Sequence, residues 1–140
     1  MAKKALIIAS MASMIDNFNR NNIKILEDLK YEITIAANFV SEDSNSLDKN
    51  EAFRLEMEDN DCKVIQIDFS RKISNIKKQI KSIKQVKKAL KTDYDLIHCH
   101  SPICAAITRL LAKKKRKSGT TVIYTVHGFH FYKGAPLKNW

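Results

Sequence analysis

Short runs of apolar, mostly β-branched residues alternate along this chain with longer segments of helical period. The runs span Lys4–Ala9, Ile33–Ala37, Lys63–Ile67, Leu96–Cys99 and Thr121–Val126, and each is nearly continuous in apolar residues. Strands that are covered on both faces have this composition, and strands that alternate with helices pair in parallel. The pattern therefore predicts an α/β fold, with an open parallel sheet of about five strands and helices on both faces.

The length of the chain limits the number of domains, and its charge limits the kind of partner. The chain has 140 residues with 44% hydrophobic content, which suits one domain over residues 1–140. Its 25 Lys and Arg residues outnumber its 15 Asp and Glu residues, giving a formal net charge of +10. An anionic partner is favoured, and a phosphate ligand, acidic lipid headgroups and nucleic acid all stay open on charge alone.

The expected compartment follows from the apolar segments and the cysteines. No stretch approaches the ~18 apolar residues of a membrane span, and the apolar segment near Met1 is interpreted as a buried first strand. The three cysteines, Cys62, Cys99 and Cys104, lie in apolar contexts, where a small buried side chain is the usual role. We expect a cytoplasmic protein without a disulfide framework.

A basic helix is predicted after the third strand. Apolar residues recur there at helical spacing, namely Ile73, Ile76, Ile80, Ile83 and Leu90, and lysines fill most positions between them. One interpretation is a solvated lysine face above a stripe that packs in the core. The other is attraction to an acidic membrane surface, with the protein peripheral on the inner face of the plasma membrane. Both interpretations stay open at this point.

Two histidines end the fourth predicted strand. The alternation of side chains along a strand puts His98 and His100 on one face and Cys99 on the other. Ser101 is then a natural N-cap and Pro102 a natural first helical residue, so a helix begins directly after the strand. Imidazoles and free backbone N–H groups are therefore expected to meet at the carboxyl end of this strand.

The order of the strands decides which segments face these histidines. With the Rossmann-like order 3-2-1-4-5, a crevice opens between the carboxyl ends of the first and fourth strands, where open α/β sheets bind ligands. The loop after the first strand forms the opposite wall, and the fifth strand delivers His127 nearby. Asp16 in that loop is also expected to cap a helix that runs to Leu29. The candidate binding residues at this edge are Ser10, Met11, Asp16, Asn17, His98, His100 and Ser101.

Neither a dinucleotide nor a metal ion is favoured in this crevice. No G-x-G-x-x-G follows the first strand, and the only three glycines of the chain, Gly119, Gly128 and Gly134, lie near its end. His98, His100 and His127 could supply the ligands of a metal-dependent hydrolase, but no acidic partner follows at the usual spacing. We expect no cofactor and no metal site. The hydrolase stays an alternative that stoichiometric zinc would establish.

Three segments carry a resemblance to a known family: IDFSRKI at 67–73, DLIHCHSPI at 95–103 and TVIYTVHGFHFYKGAPLKNW at 121–140. The chain resembles the N-terminal, acceptor-side half of bacterial GT-B glycosyltransferases of the family 4 type, which build capsule, exopolysaccharide or teichoic-type glycans. The resemblance covers essentially the whole chain and is strongest in HGFHFYKGAP. It departs at Cys104 and Ala105, where relatives often carry two glycines, and the larger side chains would narrow the crevice.

The resemblance implies a reaction and a division of roles. The reaction is a retaining, metal-independent transfer of a sugar from a nucleotide sugar, a UDP-sugar, to a polyprenyl-diphosphate-linked glycan at the cytoplasmic leaflet. The N-terminal half handles this lipid-linked acceptor. By position in the motif, His127 is expected to be the catalytic residue, which contacts the transferred sugar or stabilises charge near the reacting centre. Gly128, His130, Lys133 and Gly134 are expected to shape the acceptor side.

The resemblance also implies a donor-binding domain that this sequence does not contain. We expect the domain to be incomplete, because its terminal aromatic residues, from Phe129 to Trp140, need something to pack against. We expect it to be inactive alone, because one wall of the cleft, the donor half, is missing. Two explanations for the missing domain stay open: a shortened gene, or an enzyme made of two chains of which this is one. The expected partner is a donor-half chain or a second copy. The main alternative is a basic module that binds a membrane or phosphate ligand. Nucleic acid is not expected, because aromatic residues are not interleaved with the basic ones.

Overall fold

The computed structural model describes residues 1–40, 44–128 and 133–134. The strands are β1 (Lys4–Met11), β2 (Glu32–Asn38), β3 (Lys63–Gln66), β4 (Leu96–His100) and β5 (Thr121–Thr125). The helices are α1 (Ala12–Phe18), α2 (Arg20–Asp28), α3 (Ser44–Asp59), α4 (Ile76–Ala89), α5 (Pro102–Leu111) and α6 (Lys113–Lys117). The five predicted strands are confirmed, with ends that shift by at most two residues.

The strands form one parallel sheet in the order β3-β2-β1-β4-β5. The central strand β1 pairs with β2 on one side and β4 on the other, so that Ile7 lies opposite Ile35 and His98. The predicted order is confirmed, and the topological switch point falls between β1 and β4. Because every pairing is parallel, the carboxyl ends of the strands gather at one edge of the sheet.

Both faces of the sheet are covered by helices, as the continuous apolar runs predict. Residues of β1 alternate between two core clusters, with Ile7 on one face and Leu6 and Ile8 on the other. The first face packs under α1, α2 and α3, through Ile15, Ile23 and Phe53. The second packs under α4 and α5, through Val86 and Cys104. The fold is a Rossmann-like α/β domain.

Two further expectations concerned the burial of the cysteines and the presence of a membrane-spanning helix. All three cysteines are buried and free, as predicted, and burial raises the pKa of the Cys99 thiol to about 12. Within the described ranges, no helix has both the length and the apolarity needed to cross a bilayer.

The first predicted helix is in fact two helices. β1 runs on to Met11, α1 begins directly after it, and Asp16 lies inside α1, so the expectation that Asp16 caps the helix is wrong. The chain breaks at Asn19, which is fully buried, and the Asn22 amide donates to its side-chain oxygen over 2.9 Å. The Asn19 amide also donates to the backbone oxygen of Met14 over 3.4 Å, and side-chain bonds of this kind to the backbone compete with helix continuation. Leu29, the C-cap residue that follows α2, is exposed.

Helix α4 packs through a different face from the one predicted. Its buried residues are Ser82, Val86 and Ala89. Ile76 and Ile80 are instead 67% and 49% exposed, so the interpretation of the isoleucines as a core stripe is wrong for these positions. Leu90, just past the helix, is buried as predicted. The face toward the core carries mainly small side chains, which let the helix lie close to its neighbours, and Ile76 and Ile80 point away from it.

Candidate functional site

A groove of about 520 Å³ lies at the carboxyl edge of the sheet. The end of β1, helix α1, the loop after β3 and the start of α5 form its walls. The lining residues are Ser10, Met11, Ser13, Met14, Asn17, Phe18, Ser70, Arg71, Ile73, Ser101, Pro102 and Ile103. The crevice predicted between the first and fourth strands is therefore present, and the loop after β3 adds a wall that the sequence analysis did not include.

The start of α5 forms one end of this groove. Ser101 and Pro102 occupy the predicted N-cap and first helical positions, but the Ser101 side chain makes no capping hydrogen bond. The φ of Ser101 is 71°, in the left-handed region that side chains other than glycine seldom adopt. The first backbone N–H groups of a helix have no partner within it, and the helix dipole adds partial positive charge there. This end of the groove therefore suits an anionic group.

Three histidines meet beside the groove, as the strand order predicts. Nδ1 of His100 lies 2.9 Å from Nε2 of His127, and Nε2 of His98 lies 2.7 Å from Oγ1 of Thr125. The rings of His98 and His100 have centroids 4.1 Å apart. The ring of Phe18, which lines the groove, lies 5.2 Å from that of His127. His98 and His100 are not among the residues that line the groove, and the cluster adjoins it through Phe18 and Ser101.

Burial controls the charge of this cluster. His100 is only 1% exposed, whereas His127 is exposed. Burial, followed by the nearness of His98 and His127, lowers the pKa of His100 from 6.5 to about 3. Burial also lowers the pKa of His98, with a smaller contribution from His127. His100 is therefore a neutral imidazole at pH 7, able to donate one hydrogen bond and accept another.

Arg71 is the charged residue that the sequence analysis missed. Its Nε donates to Sδ of Met11 over 2.8 Å, and no acidic side chain in the described part of the chain forms an ion pair with it. Arginine binds phosphate oxygens in a planar, two-pronged geometry. The available signal was that Arg71 follows the third strand closely and so belongs to the same sheet edge.

The other predicted residues fall into three groups. Ser10, Met11, Asn17 and Ser101 line the groove. Asp16 is not among its lining residues, and its carboxylate forms an ion pair with Arg20, which also binds Glu56.

The residues taken from the terminal motif are only partly described. Gly128 follows His127 directly and is exposed, with a φ of 127° that favours glycine. Lys133 and Gly134 belong to an exposed turn. His130 lies outside the described residues.

The three histidines are hydrogen bonded in a way that differs from a set of metal ligands. Two of their ring nitrogens face each other, and a third faces a threonine hydroxyl. Among the described residues, no group of three or more His, Cys, Asp or Glu side chains is arranged to hold a metal ion.

With the fold and the groove in place, the chain can be compared with known proteins. Residues 18–140 match the family model described as "Glycosyl transferase 4-like". That match spans most of the chain, and the chain belongs to this family. The family predicted from the three sequence segments is confirmed.

Two relatives illustrate the match. A segment of 58 residues is 53% identical to the Bacillus subtilis (strain 168) protein "Putative glycosyltransferase EpsD", covering 41% of this chain and 15% of EpsD. The crystal structure of MurG from Acinetobacter baumannii superposes with a TM-score of 0.54 at 16% identity, over 89% of this chain and 34% of MurG. The likeness to MurG shows the fold, which is the Rossmann-like unit of GT-B proteins. The chain spans about a third of MurG.

Proposed function

We propose that this chain is the acceptor-binding half of a retaining glycosyltransferase. In this proposal a sugar moves from a nucleotide sugar, a UDP-sugar, to a glycan linked to polyprenyl diphosphate. The coarser function, glycosyl transfer, rests on family membership. The observation that carries the finer assignment is the groove at the switch point, with Arg71 at one wall and the start of α5 at another. Capsule or exopolysaccharide assembly is the proposed biological setting.

The groove has the chemistry that a lipid-linked diphosphate needs. Arg71 and the start of α5 supply positive charge and hydrogen-bond donors for phosphate oxygens. Phe18, Met14 and Ile73 add apolar surface beside them. The serines at 10, 13 and 70 offer hydroxyl groups that can bind the sugar. An amphipathic acceptor with phosphate, sugar and lipid parts fits this lining.

The histidine cluster supports a catalytic role for His127 at this groove. Sugar transfer moves negative charge onto the departing phosphate oxygen, and a fixed hydrogen-bond donor close to the reacting centre stabilises that charge. His127 is exposed, close to Phe18 of the groove and held by His100. The donor phosphates are assigned to a second domain or chain, because the turn directly after β1 contains no glycine to form a phosphate-binding loop.

Replacement of Arg71 by Ala tests the acceptor assignment. We expect the variant to bind a short-chain polyprenyl-diphosphate-linked sugar about tenfold more weakly, since a charge-assisted contact is lost. The measurement is equilibrium binding in detergent at constant salt. Arg116→Ala is the matched control, because Arg116 is exposed on α6 and makes the same change in net charge. Equal affinities for the two variants would contradict the assignment.

A second surface supports the proposal that the protein works at a membrane. Ile73, Ile76 and Ile80 are 77%, 67% and 49% exposed, which is unusual for three neighbouring isoleucines. Ile73 also lines the groove, so the apolar surface runs from the groove onto α4. Exposed lysines at positions 77, 84 and 87 flank it. Apolar residues rimmed by lysine suit docking on an anionic lipid surface, at the leaflet where a lipid-linked acceptor lies.

Vesicle co-sedimentation tests this docking. We expect binding to vesicles that contain anionic phospholipid, weaker binding to neutral vesicles, and loss of the difference as salt rises. Ile76→Ser combined with Ile80→Ser should reduce binding several-fold by removing apolar surface. The matched control is Ile25→Ser with Leu29→Ser, which changes two exposed apolar residues, one in α2 and one at its C-cap. Equal sedimentation with both vesicle types at low salt would contradict the docking proposal, and the lysines of α4 would then simply form a solvated face.

The remaining partners follow from the same division of roles. A donor-half chain or a second copy of this chain is the proposed protein partner. Ile123 and Val126, in and just after β5, are 43% and 41% exposed and offer apolar surface for it. No nucleic-acid partner is proposed, because the lysines of α4 have isoleucines rather than aromatic residues among them. The proposed location is the cytoplasm, peripheral on the plasma membrane.

A further inference from the structure

His100 occupies an unusual position for a residue at a ligand site. It is 1% exposed, so it has almost no surface with which to touch a ligand. Its Nδ1 lies 2.9 Å from Nε2 of the exposed His127. Its other ring nitrogen, Nε2, is buried with no hydrogen-bond partner in the described part of the chain. The buried ring therefore makes one hydrogen bond, and that bond goes to the proposed catalytic residue.

The unpartnered nitrogen indicates where the protons lie. A neutral imidazole carries one N–H, and burial keeps His100 neutral, with a pKa lowered to about 3. If that hydrogen were on Nε2, a buried N–H donor would be left without an acceptor. Buried N–H groups without a partner are rarer in proteins than incompletely paired acceptors. The hydrogen is therefore better placed on Nδ1, where it is donated to His127.

The position of the hydrogen on His100 also determines the tautomer of His127. Nε2 of His127 must then accept the hydrogen bond, so neutral His127 carries its own hydrogen on Nδ1. We propose that His100 is a positioning residue, which donates Nδ1–H to Nε2 of His127 and thereby holds His127 as the Nδ1–H tautomer. The tautomer itself does not depend on the proposed function. Its role does: in the proposed reaction, Nδ1–H of His127 donates a hydrogen bond to the sugar or to its departing phosphate.

The neighbouring residues keep His100 in place. His98 packs against its ring, with centroids 4.1 Å apart, and is itself tied to the hydroxyl of Thr125. In the β4–β5 register His100 lies opposite Thr125, two residues before His127. Two adjacent strands thus set the geometry of the hydrogen bond. This assignment replaces the expectation that His100 contacts the acceptor.

The test is the tautomer of His127 in the ¹⁵N-labelled 140-residue chain. Long-range ¹H–¹⁵N correlation spectra distinguish a ring nitrogen that carries hydrogen from one that does not, and His127→Ala and His130→Ala spectra assign the signals. We expect hydrogen on Nδ1 of His127 in the unaltered chain. His100→Asn should keep this state, because its amide N–H can take the place of Nδ1–H. His100→Phe should shift His127 to the Nε2–H form that neutral histidine favours in water.

Either of two results overturns the inference. One is a spectrum of the unaltered chain with hydrogen on Nε2 of His127, which decides the matter even if a variant fails to fold. The other is an Nδ1–H state that persists in a folded His100→Phe variant. Neither result alters acceptor binding in the Arg71→Ala comparison, so failure of this inference is distinguishable from failure of the proposed function.

Discussion

Replacement of His127 by Ala should lower the turnover of the assembled glycosyltransferase by about 10²–10³-fold, the usual effect of losing one donor that stabilises developing charge. Acceptor affinity should change much less, because the interaction is made mainly in the transition state. The position of His127 motivates this expectation: it is exposed, adjoins the groove through Phe18 and is held by His100. The measurement is kcat and KM for sugar transfer with the donor half present.

Thr121→Ala is the matched control for this variant. Thr121 is exposed and begins β5, at the opposite end of the strand that leads to His127. A similar fall in turnover for the control would mean that strand stability, rather than the imidazole, limits the rate. A rise in KM with kcat unchanged would mean that His127 binds the acceptor and does not act at the reacting centre.

The strands and their order could be predicted because the signals are local and redundant. Continuous apolar runs such as LIIA in β1 specify a strand covered on both faces. The period of two along β4 then puts His98 and His100 on one face, and a parallel sheet gathers the strand ends at one edge. The confirmed order β3-β2-β1-β4-β5 brings His127 to them.

The helices show why part of the site could not be predicted. In α4 isoleucines and lysines both recur at helical spacing, so the pattern does not indicate which face of the helix packs against the core. The choice depends on close packing, and the buried residues are Ser82, Val86 and Ala89. In the first helical segment, a partly buried hydrogen bond between Asn22 and Asn19 accompanies the break between α1 and α2. A single sequence does not indicate that such a bond will form.

Arg71 and His100 illustrate contacts that depend on long-range geometry. Arg71 reaches Met11, 60 positions earlier, across the edge of the sheet. The bond between His100 and His127 depends on the register of β4 against β5, which no local pattern gives. His100 is likewise buried, with the ring of His98 against its own ring at 4.1 Å between centroids. The sequence placed His100 at the correct edge of the sheet and missed Arg71, and the contacts of both residues required the folded structure.

The central claim is that this chain supplies the acceptor side of a two-part active site. The direct measurement is transfer of radiolabelled sugar from UDP-sugars to polyprenyl-diphosphate acceptors, by the 140-residue chain alone and after addition of a donor-half polypeptide. Orienting two substrates across a cleft is worth roughly 7–11 kcal/mol, which one wall cannot supply. We therefore predict no detectable transfer by the chain alone and measurable transfer in the mixture. Robust turnover by the chain without a second polypeptide would contradict the account, since a donor site would then have to lie within these residues.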